Sequence, residues 1–533
     1  MPCSTFCSRL ALVTLLAAWL GWAPGAIATP AQVHAAVPSQ AATPVASTPV
    51  ATPAASAWQS VDCAAFAVNA VVAAVAECGY VTVPENRTRP ESRDIQLAVV
   101  RIPSATGAGA PIVVGTGGPG GEGLLMTTLP PEALDIVALN APLLAEHDLV
   151  FFAQRGTLDA VPYLTCPQYN RVETGYARAL HGWDRAETDA ALHATLAACR
   201  DHFLAEGVDF AGYTSQESAA DVDAIRAALG YDTIIFYGQS YGTQLAQFIM
   251  RDTPQILDAV IMDGALPVAF PSYAASVDIP VAFEQVFAAC AAEPACHAAY
   301  PDPMRTLSEV VAAFNADPRP VDVTQADGTT VTLHIDGYNV FEFLFMVMAI
   351  GPPWNGQLPQ VIEQLHQDPT PLLAAMAPSP TSTAARLMQY AVNCSDDPST
   401  SLAEFHLETL PPVFHEYVYA DAIKFVDACN LLALPQLPAA SDAPVASDIP
   451  VLILNGALDP ATPPSNADLV AASLPQARAV LFPAGGHIQW PSPCAVSLIA
   501  AFLADPAAPV PAACSAAPPV FTLPPAPAAT PVG

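Results

Sequence analysis

This sequence predicts an α/β fold with a mostly parallel central sheet, helices on both faces and a helical cap insertion. Three observations carry that reading. Short β-rich apolar runs alternate with helical patterns. Six of those runs contain no polar break, as parallel strands covered on both faces require. One long stretch, 268–446, departs from the alternation and is mostly helical in pattern. The chain has 533 residues, 53% hydrophobic and 12% charged, so it has apolar material for a large core and room for an insertion. Its 17 Lys+Arg against 49 Asp+Glu give a formal charge of −32. That excludes a nucleic-acid binder, which needs a basic face to displace counterions, and argues against docking on an anionic membrane.

Residues 1–28 read as a secretory signal: Arg9, then the apolar run Leu10 to Leu20, then Ala26-Ile27-Ala28 as a small-x-small cleavage site. The run is broken by Gly21, Pro24 and Gly25 and is too short to span a bilayer, so no membrane insertion is expected after cleavage. A secreted or cell-envelope location follows. Cys3 and Cys7 leave with the signal; ten cysteines remain, and in an exported chain an even number favours disulfides. Sequential pairing is expected: Cys63/Cys78, Cys166/Cys199, Cys290/Cys296, Cys394/Cys429 and Cys494/Cys514, with the short Cys290/Cys296 loop the least secure. No CxxC and no HExxH occurs, so neither structural zinc nor zincin chemistry is expected, and no cofactor is called for. Residues 29–57 (TPVASTPVATPAAS within them) lack periodicity and read as an extended linker, and 515–533 as a Pro-rich tail of the same kind.

The first part of the core, 58–267, opens with strands at Gly79 to Pro84 and Ile95 to Ile102. The parallel strands follow at Pro111 to Gly115, Leu149 to Phe152, Thr233 to Tyr237 and Ala259 to Met262. The core resumes at 447–514 with Val451 to Leu454 and Ala479 to Phe482. Thr214 and Glu217 form a capping box for a helix with Val222, Ile225, Ala228 and Leu229 on its apolar face, closed by Gly230. Within the cap, Val321 to Leu333 reads as a hairpin turning at Asp327-Gly328. The apolar helix Val340 to Ile350 reads as cap core.

The chemistry is carried by Gly238-Gln239-Ser240-Tyr241-Gly242, a G-x-S-x-G that follows a strand and precedes a helix pattern. In that context the sharp turn exposes Ser240 as a nucleophile and defines an α/β-hydrolase fold. A serine needs a base, and the base an orienting carboxylate, in the chain order Ser, acid, His. His487 stands in a Gly-rich loop after the last strand, and Asp459 follows the strand before it. Asp263, after the preceding strand, is the rival acid. An oxyanion needs two N–H donors. Tyr241 supplies one; the loop Gly115 to Gly121 supplies the other, from Gly117 or Gly118. That loop also counts as G-x-G-x-x-G, but Pro119 interrupts the turn, Pro130-Pro131 cuts any helix short, and Gln154-Arg155 follow the next strand where an acid should stand.

Four blocks together resemble a known family, the secreted α/β-hydrolase-fold serine aminopeptidases of the prolyl and tripeptidyl type, with a TAP-like C-terminal region. They are GTGGPGGEG (115–123), FAQRGT (152–157), YGQSYGTQLAQF (237–248) and LNGALDPATPP with GGH. The resemblance implies a serine peptidase that acts near the free amino terminus of peptides through an acyl-enzyme. It also implies an anionic receiver for the substrate ammonium, for which Glu122, Asp396 and Asp397 are the candidates. Two departures stand out: Ala153 replaces the Asp that usually precedes Gln-Arg-Gly, and Glu122 replaces a small residue after GGPGG. An esterase or lipase on the same triad, or a catalytically dead surface binding protein, are the rival readings.

Overall fold

The protein is described by a computed structural model covering residues 58–268, 279–325 and 327–523. The expected signal, linker and last ten residues of the tail lie outside the described residues. The strands are β1 Trp58–Val61, β2 Glu77–Pro84, β3 Asp94–Ile102, β4 Ile112–Gly115, β5 Leu149–Phe152, β6 Ile234–Gln239, β7 Leu257–Asp263, β8 Arg319–Thr324, β9 Thr330–Ile335, β10 Val451–Gly456 and β11 Ala477–Phe482. Nine of them form one sheet in the order β1-β2-β3-β5-β4-β6-β7-β10-β11. The first three strands pair antiparallel, as does β3 with β5; from β5 through β11 all pairs are parallel. This is the α/β-hydrolase fold. Every strand predicted from the sequence is present, and β1 is an addition: its WQSV is half polar and half exposed, so it forms no apolar run.

The unbroken apolar runs are explained by burial on both sides. Along β6, Phe236 joins one buried cluster while Ile235 and Tyr237 join the other. Each fully buried side chain of this size contributes roughly 1.5–3 kcal/mol, so both faces select for apolar residues. The longer helices are α1 Arg185–Ala205, α2 Ser215–Ala228, α3 Tyr241–Asp252, α4 Ile279–Ala292, α5 Pro303–Ala316 and α6 Gly337–Ala349. After them come α7 Leu358–Gln367, α8 Arg386–Asp396, α9 His415–Leu432, α10 Pro464–Ala471 and α11 Pro493–Ala504. Helices α2, α3 and α10 cover one face of the sheet and α11 the other.

The cap is built on α4 to α9. Phe283, Phe341 and Phe414 cluster in its centre with centroids 5.2–6.0 Å apart, Phe283 edge-on to the other two, and the hairpin β8–β9 flanks them. Two sequence expectations need correction. The sequence places the stretch between β5 and α2 in the core, yet its helices, α1 among them, pack with α8 and α9 in one buried cluster. Ion pairs tie it there: Arg178 to Asp336 and Glu416, and Glu173 to Arg386 and Lys424. The helical layer therefore draws on two stretches of chain. The tail is also not wholly extended linker: Thr522 N donates to Gly356 O, Tyr300 Oη donates to Thr522 O, and Phe521 packs on the cap.

All five expected disulfides are present, with Cα–Cα distances of 5.1–5.8 Å, Cys290–Cys296 included. Among the described residues no helix is long and apolar enough to cross a membrane. The capping box of α2 is half formed. Thr214 Oγ1 accepts from Glu217 N, but the Glu217 carboxylate turns away to hold Arg87.

Candidate active site

The carboxyl ends of β4, β6, β10 and β11 carry the site, as open α/β sheets arrange it. Ser240 sits between β6 and α3 with φ +54°, a backbone conformation that an L-residue holds only under constraint. The constraint is visible. Ser240 N donates to Asp263 O at 2.9 Å, and Thr243 N and Oγ1 return to Ser240 O. Glycines flank it because a Cβ on Gly238 would strike Gly242 O, and one on Gly242 would strike Gly115 O.

His487 and Asp459 meet in the loops beyond β11 and β10. His487 Nδ1 lies 2.9 and 3.0 Å from the two Asp459 carboxylate oxygens, with both residues buried. Asp459 also accepts from Ala461 N and Thr462 N, and from Thr462 Oγ1 at 2.7 Å. Thr462 Oγ1 stands 3.2 Å from His487 Nδ1, so it braces both partners. Sequence reasoning missed Thr462; the signal was its place three residues after the acid, where an Asp folds back on its own turn. Asp263 is taken up elsewhere. Its carboxylate accepts from Tyr237 Oη at 2.6 Å, Gln489 N and Trp490 N, which fixes the loop that carries the imidazole. Burial pushes the Asp263 carboxyl up to about 6 against those hydrogen bonds.

Ser240, His487 and the loop after β4 line one cavity of about 40 Å³, together with Gln239, Glu122, Leu125, Met126 and Ile488. Three buried lining atoms, Ser240 Oγ, Gln239 Nε2 and Thr116 Oγ1, have no hydrogen-bond partner in the protein. Buried polar atoms are seldom left so, and here they converge where a polar ligand would sit. A Cβ on Gly117 would stand 2.7 Å from Ser240 Cβ, so only glycine lets that loop approach the serine. Gly118, at φ +119°, has no room for a side chain either, since a Cβ there would lie 2.8–2.9 Å from Gly121 N and Gly120 N. Gln154 Nε2 props the loop by donating to Thr116 O.

Arg155 answers the Ala153 departure. It is fully buried, and Asp221 on α2 holds it through Nε and Nη2 at 2.8 and 2.7 Å, with Glu85 O and Gly212 O accepting the rest. Arg155 is thus held without any carboxylate at position 153.

Of the three expected ammonium receivers, Glu122 alone lines the cavity. Burial raises its carboxyl, opposed by a hydrogen bond from Thr383. Asp159, which the sequence did not single out, is pushed to about 6 by burial and then by the charge of Glu122. Asp396 and Asp397 are not in the lining. They end α8 at the start of α2, where Asp396 accepts from Ser215. Among the described residues no group of three or more His, Cys, Asp and Glu is placed to hold a metal ion.

Residues 415–514 match the α/β-hydrolase family described as TAP-like protein. Serine protease Hip1 of Mycobacterium tuberculosis is 29% identical over 198 residues, 36% of each chain. The tripeptidyl aminopeptidase of Streptomyces lividans is 32% identical over 222 residues, 39% of each. Carboxylesterase B of Mycobacterium tuberculosis is 26% identical over 250 residues, 45% of this chain and 46% of its own. The matched regions span less than half the length of these curated relatives. With its sheet order, its serine turn and its TAP-like segment, the chain has the α/β-hydrolase fold and is similar in part to a serine protease and a tripeptidyl aminopeptidase.

Proposed function

We propose that the protein is an exported serine hydrolase that cleaves peptides near a free amino terminus through an acyl-enzyme. The observation that carries this reading is one cavity holding Ser240, the Asp459-braced His487 and the carboxylate of Glu122. Ser240 Oγ attacks the scissile carbonyl while His487 Nε2 takes its proton; the carbonyl oxygen becomes an oxyanion. The amides of Tyr241 and Gly117 or Gly118 receive that charge, each donor worth roughly 2.7–4 kcal/mol. His487 then passes its proton to the leaving amine as the C–N bond breaks. Water repeats the sequence on the acyl-enzyme, releasing the carboxylic acid and restoring Ser240. Asp459 holds the tautomer with the proton on Nδ1 and stabilises the imidazolium.

Glu122 gives the amino-terminal preference. A carboxylate beside an oxyanion is unfavourable unless paired, and a substrate ammonium pairs it; the Asp159 charge adds to the same attraction. Ten of the cysteines are bridged, which supports an oxidising, extracytoplasmic location. Esterase activity on the same triad is the second reading, favoured by Leu125, Met126 and Ile488 in the lining and by the carboxylesterase relative.

The deciding experiment compares peptidyl substrates with free and acetylated amino termini, beside a fluorophosphonate probe. A charge-assisted hydrogen bond contributes roughly 1.5–3 kcal/mol, so acetylation should cost about one to two orders of magnitude in kcat/KM. Glu122→Gln should shrink that gap while Ser240 still labels. Equal rates on both substrates would replace the peptidase reading by the esterase. Absence of labelling would leave a binding protein.

A further inference from the structure

Helix α8 touches the proposed oxyanion hole from both sides. Before its first turn, Ala385 N donates to Gly120 O at 2.9 Å, and a Cβ on Gly120 would lie 2.8 Å from Ala385 O. At its last residue, Asp396 accepts from Ser215 N at 3.3 Å and from Ser215 Oγ. Ser215 Oγ is in turn 2.7 Å from Tyr241 Oη. Tyr241 follows Ser240 directly and is buried, so its ring is the anchor of the residue whose amide faces the oxyanion.

We propose that Asp396 is a positioning residue: through Ser215 it fixes the Tyr241 ring, and with it the amide donor next to Ser240. This rests on the reading of Ser240 as nucleophile. An ionised Asp396 can only accept, so Ser215 must donate to it and accept from Tyr241; the chain then has one polarity. A neutral group at 396 allows the reverse polarity and a looser ring. The groups that bear on this carboxyl are Asp397 beside it, Asp442 from the segment before β10, Arg251 at the end of α3, and the Ser215 donors at the start of α2. Desolvation and Asp442 raise it to about 7, against the Ser215 bonds and Arg251. The cap thus reaches the reacting atoms without touching substrate.

The alternative is that Asp396 only caps α2. The test uses the full chain with Asp396→Asn, Ser215→Ala, Ser215→Thr, Tyr241→Phe and the double variant Asp396→Asn/Tyr241→Phe. Each is assayed on a free-amino peptidyl p-nitroanilide and a p-nitrophenyl ester, with thermal unfolding alongside. Asp396→Asn, Ser215→Ala and Tyr241→Phe should each lower kcat about tenfold on both substrates, with KM nearly unchanged. That is below the roughly 10²–10³ lost when a donor is deleted outright. Ser215→Thr, which keeps the hydroxyl, should recover most of the rate. The double variant should be no slower than its slower parent, because both changes cut one path. Three outcomes overturn the proposal. They are multiplicative losses in the double variant, a lowered Tm with unchanged kcat, and a loss confined to KM for the free-amino substrate. A wild type that neither labels with fluorophosphonate nor turns over would bring down the nucleophile reading, and this proposal with it.

Discussion

The sheet and the cap hold charge in different ways, and the difference separates geometry from response. At the sheet, the groups of the site are fixed by backbone: Ser240 by Asp263 O, Asp459 by two turn amides, and the His487 loop by Asp263 through two more. In the cap, buried side chains face one another. Glu173 is shared by Arg386 and Lys424, and Asp421 has Lys424 at 3.7 Å with no hydrogen bond to either carboxylate oxygen. Backbone donors do not titrate; the cap carboxyls do, as does Asp263 behind the His487 loop, which burial raises to about 6. Burial pushes Asp421 and Asp397 up to about 7, each helped by neighbouring carboxylates and, for Asp421, opposed chiefly by Lys424. Changes at the sheet should therefore strike turnover, and changes in the cap should strike stability except at Asp396, where α8 meets Ser215 beside Tyr241.

Ser240→Ala or His487→Ala should show the largest effect, a loss of about 10⁴- to 10⁶-fold in kcat with Tm little changed. Asp459→Asn follows at about 10⁴-fold, since the wrong imidazole tautomer is then favoured. Asp263→Asn should lose at most about 10²-fold because it acts on the loop amides rather than on the ring. If Asp263→Asn silenced the enzyme while Asp459→Asn spared it, the acid would be misassigned. In the cap, Glu173→Gln leaves Arg386 without its buried carboxylate partner and Lys424 with Asp421 at 3.7 Å, and should cost about 3–5 kcal/mol by denaturant titration. A fall in kcat larger than the fall in folded fraction would erase the division between the regions.

The smallest effect is the pH dependence of stability. Carboxyls raised in the folded state stabilise fully below their unfolded value of about 3.9, and that contribution is lost as pH rises through the folded value. With Asp396, Asp397 and Asp421 at about 7, Tm should fall between pH 4 and pH 8. Asp148 runs the other way. Burial would raise it, but hydrogen bonds from Tyr231, Ser104 and Arg101 bring it to about 2, so it matters only below pH 4. Asp421→Asn should flatten the curve; an unchanged slope would mean that the cap carboxyls ionise without strain.

What could be read in the sequence follows the same division. Parallel strands buried on both faces must be apolar throughout, and a serine turn squeezed between Gly115 and α3 must have its glycines, so strands and elbow were legible. Asp459 and His487 were legible because chain order and loop glycines restrict the choice. The ownership of α1 was not: its apolar face would suit a sheet as well as a helix, and what decides for the cap is packing against α8 and α9, with ion pairs from the residues just before it, Arg178 and Glu173, to partners more than 150 residues away. Asp396 was misread for a related reason. Its partner Ser215 is a helix start far off in sequence, and nothing local in VNCSDD announces it.

One feature of the covalent frame bears on how the chain is made. Each bridge joins consecutive cysteines, so no loop encloses or interlaces with another, and none ties the cap to the sheet. A chain emerging amino end first therefore meets each correct partner before any later cysteine can compete. We expect oxidative maturation to proceed by capture in order, so that refolding from the reduced chain with a simple dithiol oxidant should return the same five bridges.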